Sequence, residues 1–343
     1  MEDSGRPFRP SIIHMVLILG LVAFAVYFLL FINPYQVADV LSKTNLMIYS
    51  AAFAAYATYS VFSSMVWQGL LTNLSVRITA QKALLFTWVG LFFEATVPEF
   101  GLSGEVSKTY MLTKDTNLDA GKIGASVIGQ KIFSITLTVA GMTLGLVLVL
   151  VSYRLPLIVT LLISVVLILS VLALSLLYFI SLKPSATKTL LNWAVRIISF
   201  FRKRWNPQNF KTKSEELLER FHLGMSELRM NPKALVKPAA YAVLGFICEI
   251  SVTFVVFAAL GYPVPVDKVL IVFTLTGALQ TVAFAFFGFP ELIMSISYTA
   301  LGIPVAISVS ATLLTRVVSF WFRLVVSYTA LQWAGIKILR QKQ

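Results

Sequence analysis

The chain has 343 residues, of which 58% are hydrophobic and 13% charged, and its formal net charge is +13. An apolar excess spread along the whole length excludes a soluble globular domain and makes this a polytopic membrane protein. The positive charge is no argument for nucleic acid, because the Lys and Arg gather in a few loops, which is how orientation is written into membrane chains. A single cysteine, Cys248, excludes a disulfide framework within the chain and a cysteine-based zinc site.

Residues 1–11 carry Arg6 and Arg9 and read as a short disordered arm. Ile12 to Ile32 is long enough to cross a bilayer. Asn33-Pro34-Tyr35 follows it where a signal peptide would have a small-residue cleavage site, so it reads as a retained first span. Leu46 to Leu71 is the second span, with Tyr49, Tyr56, Tyr59 and Trp67 along it. Next comes a broken segment, Lys82 to Tyr110. Its apolar part, Ala83 to Val97, falls short of the ~20 residues a spanning helix needs. It stops at Pro98, Gly101 and Gly104, with Glu94, Glu99, Glu105 and Lys108 close by. Irregular, charged backbone at membrane depth persists only where protein or a water-filled cavity surrounds it, so residues 82–110 are expected to be re-entrant.

Gly124 to Tyr153 and Leu155 to Leu182 are the third and fourth spans, the fourth apolar on all faces and expected to meet lipid. Residues 183–236 are basic and amphipathic. Leu190, Ala194, Ile197, Phe201 and Trp205 recur at helical spacing beside Lys188, Arg196, Arg202, Lys203 and Arg204. Such a helix lies on an anionic membrane surface, or else the segment is a solvated loop that only fixes orientation. A second amphipathic helix is expected from Lys213 to Met230, opened by a Thr212–Glu215 capping box and striped by Leu217, Leu218, Phe221, Met225 and Leu228. Pro238 to Leu260 is the fifth span. Val269 to Phe287 is a second compromised stretch, breaking at Gly288-Phe289-Pro290-Glu291, and Ile303 to Trp333 is the last span. With the N-terminus inside, 22 of the 28 Lys and Arg fall on the inner side, which satisfies the positive-inside rule.

Residues 46–150 and 237–335 repeat one order: span, short loop, re-entrant stretch, long span. Lys82 to Glu105 and Lys268 to Glu291 are both 23 residues, and Gln130 and Arg316 are 186 apart. The first unit begins outside and the second inside, so the repeat is inverted, the architecture of alternating-access transporters. The expected fold is therefore an all-α polytopic membrane protein with six spanning helices and two re-entrant elements in an inverted repeat. Residues 12–182 form the first transmembrane half, with 82–110 re-entrant, and 237–335 the second, with 268–291 re-entrant. Residues 183–236 form the basic cytoplasmic segment between them, and 336–343 a basic tail.

Ser103 is placed to cap a half-helix, with Glu105 in its first turn and Lys108 on the same face. Helix N-terminus and lysine together suit a phosphate headgroup; the alternative is an exposed cap with a weak surface pair. Lys131, Arg316 and Arg323 lie within spans, where a cation costs roughly 2.5–3.5 kcal/mol on insertion scales and so faces protein or water. Arg316 and Arg323, seven apart, would share a helix face, with Glu249 and Glu291 as counter-ions. A purely structural Arg323–Glu249 pair is an alternative. The expected substrate-binding set is thus Glu105, Lys108, Lys131, Glu249, Glu291, Arg316 and Arg323, and the expected hinges are Pro98, Gly101, Gly104, Gly288 and Pro290. Only His14 and His222 are histidines, and there is no P-loop and no Gly-x-Ser-x-Gly elbow, so no enzyme, no cofactor and no metal site are expected.

The run from Val97-Pro98-Glu99 through Ser103-Gly104-Glu105 to Lys108 and Leu112 resembles the Pro…Gly-Glu…Arg…Leu motif of a flippase-like membrane family. That family includes the transmembrane region of lysylphosphatidylglycerol synthases. Gly288-Phe289-Pro290-Glu291 resembles its late glycine-rich element, and Leu314-Thr315-Arg316 through Phe320-Trp321 its last-span signature. This chain departs from the family pattern at Lys108, at Gln130-Lys131 and in its thinner second glycine cluster. The aminoacyl-transferase domain of the synthases is expected to be lacking here. The resemblance implies lipid translocation; with the phosphate-suited cations, the expected function is movement of an anionic or modified lipid (aminoacylated, glycosylated or polyprenyl-linked) between leaflets of the plasma membrane, and the positive-inside count expects both termini to be cytoplasmic. The expected partners are that lipid and an anionic membrane surface, with a homodimer left open and no nucleic acid. An ion-coupled carrier of small solutes, or a non-catalytic subunit of a membrane glycosyltransferase, are the other readings.

Overall fold

The computed structural model describes residues 26, 33–97, 102–116, 118–152, 157–201, 207–282 and 288–340. The expected first span, 12–32, lies outside them except for Val26, as do Pro98 and Gly101. The described residues are helical throughout, joined by turns, with no strand among them. In chain order the helices are α1 (Pro34–Ser42), α2 (Leu46–Asn73), α3 (Ala80–Thr96), α4 (Ser103–Thr116), α5 (Ala120–Ser152), α6 (Leu157–Leu182), α7 (Pro184–Phe201) and α8 (Pro207–Met230). A 3-10 turn, Pro232–Leu235, leads to α9 (Val236–Ala259), α10 (Val266–Val282), α11 (Phe289–Ala300) and α12 (Val305–Arg316). A π-turn (Val317–Phe322) then joins α12 to α13 (Arg323–Arg340).

Among the described residues five helical stretches are long and apolar enough to span a membrane: α2, α5, α6, α9 and the α12–α13 run. The two compromised stretches are shorter, 17 residues each in α3 and α10, and each is followed by a short second helix, α4 or α11. The element bounds agree with the 186-residue offset noted in the sequence. Moving Ala80–Thr96 along by the 186 residues that separate Gln130 from Arg316 gives 266–282, the bounds of α10, and moving Ser103 gives Phe289, the start of α11.

The corresponding helices α2 and α9 pack side by side, antiparallel along their whole length. The Asn45 N–H donates to the Ala259 carbonyl at 2.8 Å at one end, and Gly69 meets the Pro238 ring at the other. Contacts between the two stretches are reciprocal: α3 packs on the last span, through Trp88 with Phe322 of the π-turn and Phe92 with Tyr328 of α13, and α10 packs on α5. At that second contact Gly141 lies against Thr274, and Gly145 against the Ile271 backbone. Small residues let helix backbones approach where lipid offers no hydrophobic drive.

Helix α6 buries Ile163 and Ser181 and turns residues such as Leu161, Ile168 and Leu172 outward, as its all-round apolarity leads one to expect. The basic segment resolves into two helices with different fates. Helix α7 exposes Leu190, Trp193, Lys188 and Arg196. Helix α8 docks on the start of α5 instead: Met225 and Leu228 are buried, Gly224 meets Ala125, and Lys122 pairs with Glu227 at 2.7 Å. Thr212 opens no capping box. The helix begins upstream at Pro207, and the Thr212 hydroxyl donates back to the Gln208 carbonyl at 3.1 Å.

Candidate functional site

Helices α3 and α4 fold against each other as a hairpin. Its closest point is Gly90 against Gly104, where a Cβ on Gly104 would stand 2.8 Å from the Gly90 carbonyl oxygen. Gly104 is thus a packing contact in the first turn of α4 and not the break itself. The Ser103 hydroxyl does not cap α4; it donates across the hairpin to the Phe93 carbonyl at 3.1 Å. At the far end Lys82 pairs with the buried Asp115 at 2.6 Å, tying the start of α3 to the end of α4.

This hairpin places Glu105 and Lys108 against α5. Lys131 Nζ lies 3.1 Å from Glu105 Oε1. Lys108 is buried: its ammonium donates to Gln130 Oε1 at 3.0 Å and sits 5.5 Å from the Trp67 ring centre. Gln130 is itself held by the carbonyl and hydroxyl oxygens of Ser63, both at 3.0 Å. The surface-exposed alternative for Lys108 is therefore set aside.

These residues line a cavity of about 310 Å³ between the two units. Among the described residues Glu94, Glu249 and Arg323 complete its charged lining, giving three carboxylates and three cations. Tyr56 and Tyr59 stand beside them, and the wall continues into apolar residues of α5, α6, α9 and α10, among them Leu169, Ala173, Phe246 and Phe273. Several polar atoms here have no hydrogen-bond partner, namely Thr87 Oγ1, Glu105 Oε2 and Arg323 Nε. Buried polar atoms normally find partners, so this is an arrangement that a ligand would complete. Several lining residues stand at the 186-residue offset: Tyr59 and Gly245, Ser63 and Glu249, Glu94 and Gln280, and Leu137 and Arg323, both members of each pair lining the cavity.

Of the seven residues expected at the site, Glu105, Lys108, Lys131, Glu249 and Arg323 come together here. Glu291 and Arg316 do not line this cavity. They form a separate buried pair, Nε to Oε1 at 2.6 Å, and Glu291 Oε2 also accepts the Gly288 N–H at 2.7 Å. Gly288 holds φ = 104°, a conformation suited to glycine, and Pro290 opens α11 beside it. The expectation that Arg316 and Arg323 share a face fails because of the π-turn between them. Its i→i+5 bonds advance each residue by less than the ~100° of an α-helix, so Arg323 turns away from Arg316 and toward the cavity. The nearest carboxylate to Arg323 is that of Glu94, at 3.9 Å, and not that of Glu249. Glu94, Gln130, Tyr56 and Tyr59 were absent from the expected set. Glu94 was masked by the apolar run around it, although its repeat partner Gln280 offered a signal.

Among the described residues no group of three or more His, Cys, Asp or Glu is placed to hold a metal ion. Comparison with known proteins places this architecture. The chain is 25% identical over 338 residues to a UPF0104 membrane protein of Methanothermobacter thermautotrophicus, covering 94% of this chain and 96% of the relative. It is 24% identical to UPF0104 membrane proteins of Pyrococcus horikoshii, over 79% of this chain and 82% of that one, and of Methanocaldococcus jannaschii, over 93% and 92%. The model of the lysylphosphatidylglycerol synthase transmembrane region matches residues 14–327, and this multi-pass membrane protein belongs to that family.

Proposed function

We propose that the protein moves an anionic or modified lipid between membrane leaflets, without catalysing a covalent reaction. The observation that carries this is the composition of the cavity. Six ionisable side chains are gathered at one place within a bundle of apolar helices, and the same wall runs on into apolar side chains of α6 and α10. A polar head attached to an apolar chain fits both parts. Charge within spanning helices is costly enough to mark a substrate path.

Antiparallel packing of the equivalent helices α2 and α9, with a cavity lined by equivalent positions of both units, supports an inverted repeat working by alternating access. On this reading residues 12–32 supply a sixth span and the two hairpins, α3–α4 and α10–α11, are the re-entrant elements. The basic segment and both termini lie on the cytoplasmic side of the plasma membrane. Lys108 and Lys131 meet the headgroup, Arg323 joins them, and α7 rests its exposed Leu190 and Trp193 on the anionic inner surface.

The test is leaflet exchange of fluorescent phosphatidylglycerol in phosphatidylcholine proteoliposomes. Lys131→Gln and Arg323→Gln, each removing one charge-assisted contact, are expected to slow exchange about ten- to hundredfold. Unchanged rates in both, or no exchange by the folded native protein, would overturn the reading. Full inhibition by a water-soluble anion that is itself transported would favour a small-solute carrier.

A further inference from the structure

The ionisable groups around the cavity are unequally paired. Glu105 has Lys131 at 3.1 Å and Glu94 has Arg323 at 3.9 Å. Among the described residues no Lys, Arg or His nitrogen lies within 4.0 Å of the Glu249 carboxylate. Glu249 sits well inside the apolar span α9 and faces the cavity. The groups facing it can be taken helix by helix. From α2 these are Tyr56 and Tyr59, from α3 Glu94, and from α13 Arg323, which is already engaged by Glu94. From α4 and α5 they are Glu105, Lys108 and Lys131, and from α9 itself Tyr241 lines the cavity and Cys248 is the chain neighbour. Helices α6 and α10 bring none. An ionised carboxylate without a cationic partner is unfavourable in such surroundings, and the simplest relief is a proton.

Charge arithmetic gives that proton a role. With Glu249 ionised, the three carboxylates and three cations among the described lining residues sum to zero, and an anionic headgroup meets no net attraction from them. With Glu249 protonated, the lining carries one positive charge and complements one phosphate. Each binding event then favours the other, as linkage requires. Resting on the lipid-transport reading above, we propose that Glu249 is the proton-binding group through which lipid movement is coupled to a proton gradient, one proton travelling with one anionic lipid. The proton comes from the aqueous phase to which the cavity opens and forms an O–H bond on the Glu249 carboxylate. It leaves to the opposite phase with the lipid, and no other bond changes. Movement of a singly charged anionic lipid is then electroneutral.

The experiment uses the intact protein in phosphatidylcholine vesicles with fluorescent phosphatidylglycerol, under an imposed pH difference. With the membrane potential clamped at zero, the steady leaflet ratio is expected to shift about tenfold per unit of pH difference, toward the alkaline side. At equal pH, changing the membrane potential should leave the ratio unmoved. Glu249→Gln should abolish the pH response. Exchange by the native protein that ignores the pH gradient, or follows a sodium gradient at equal pH, overturns the coupling and leaves lipid transport standing. A second measurement is independent of transport: adding short-chain phosphatidylglycerol to detergent-solubilised protein in weak buffer should take up about one proton per chain, and Glu249→Gln none. No uptake by a folded native protein overturns the proposal. Absence of native exchange together with proton uptake would count against the transport reading alone.

Discussion

Arg316 reaches Glu291 with its Nε at 2.6 Å from Oε1, and both side chains are buried, at 8% and 1% exposure. The pair joins α11 to the end of α12, and the Gly288 N–H occupies the other carboxylate oxygen. Removing one partner leaves an uncompensated charge inside the bundle. Arg316→Leu is expected to lower stability by about 3–5 kcal/mol, and the double variant Arg316→Leu/Glu291→Leu to recover much of that loss. Thermal unfolding in detergent would measure the cycle. An additive double variant would mean that the two residues do not act as a pair.

The α3–α4 hairpin depends on two glycines. A methyl group on Gly104 would press on the Gly90 backbone oxygen at 2.8 Å, and backbone cannot yield as a side chain can. Gly104→Ala should cost about 1–3 kcal/mol, as overpacking does. Gly277→Ala, where a Cβ meets nothing within 4 Å, should leave the melting temperature close to the native value.

Helix α8 is held to α5 by shape more than by charge. Gly224 brings it onto Ala125, where a Cβ would approach to 2.8 Å, whereas the Arg220–Asp119 and Lys122–Glu227 pairs are partly exposed. Exposed pairs are worth roughly 0–1 kcal/mol. Limited proteolysis should therefore cut α8 quickly in Gly224→Leu and at nearly native rates in Lys122→Gln.

His222 links α8 to α7, its Nε2 2.6 Å from the Thr187 hydroxyl oxygen. Burial pushes its pKa below the ordinary 6.5, against the opposing effect of the Ser181 backbone. The unfolded segment then takes up a proton at higher pH than the folded one. The contact is at full strength above about pH 6.5 and weakens as the pH falls from there toward the lower folded value. Protection factors for hydrogen exchange over residues 184–230, corrected for the intrinsic pH dependence of exchange, should fall on acidification in the native protein, and His222→Gln should remove that fall.

Much of this architecture could be read from residues alone, because apolar run length and glycine/proline breaks report directly on what a bilayer permits. The two short apolar stretches, which the structure gives as 17-residue helices, and the nearness of Glu105 to Lys131 follow from that constraint. Packing partners did not. Gly121 and Gly224 reveal a docked α8 only once two helices distant in sequence are set side by side. Glu94 stands beside the break in the sequence, but its approach to Arg323, a residue more than two hundred positions away, exists only in the packed structure. The Arg316–Arg323 face was misjudged because nothing in Val317–Phe322 announces a π-turn; hydrogen-bond register is a property of the packed helix, set here by Phe322 among Tyr56, Trp88 and Phe53.

The π-turn also gives the last span a tolerance for losing one residue that its composition does not disclose. It holds more residues than an α-turn of the same height, so deleting one of them, Ser319 for instance, would let the run relax to uninterrupted α-helix. Arg316 and Arg323 would then lie six positions apart in regular helix, about 600° of rotation, so the two guanidinium groups would keep to different faces, one at Glu291 and one at the cavity. Between Arg316 and Arg323, hydrogen-bond register and not the seven-residue interval sets which way each cation points, and a single-codon deletion there would preserve the charge balance of the cavity.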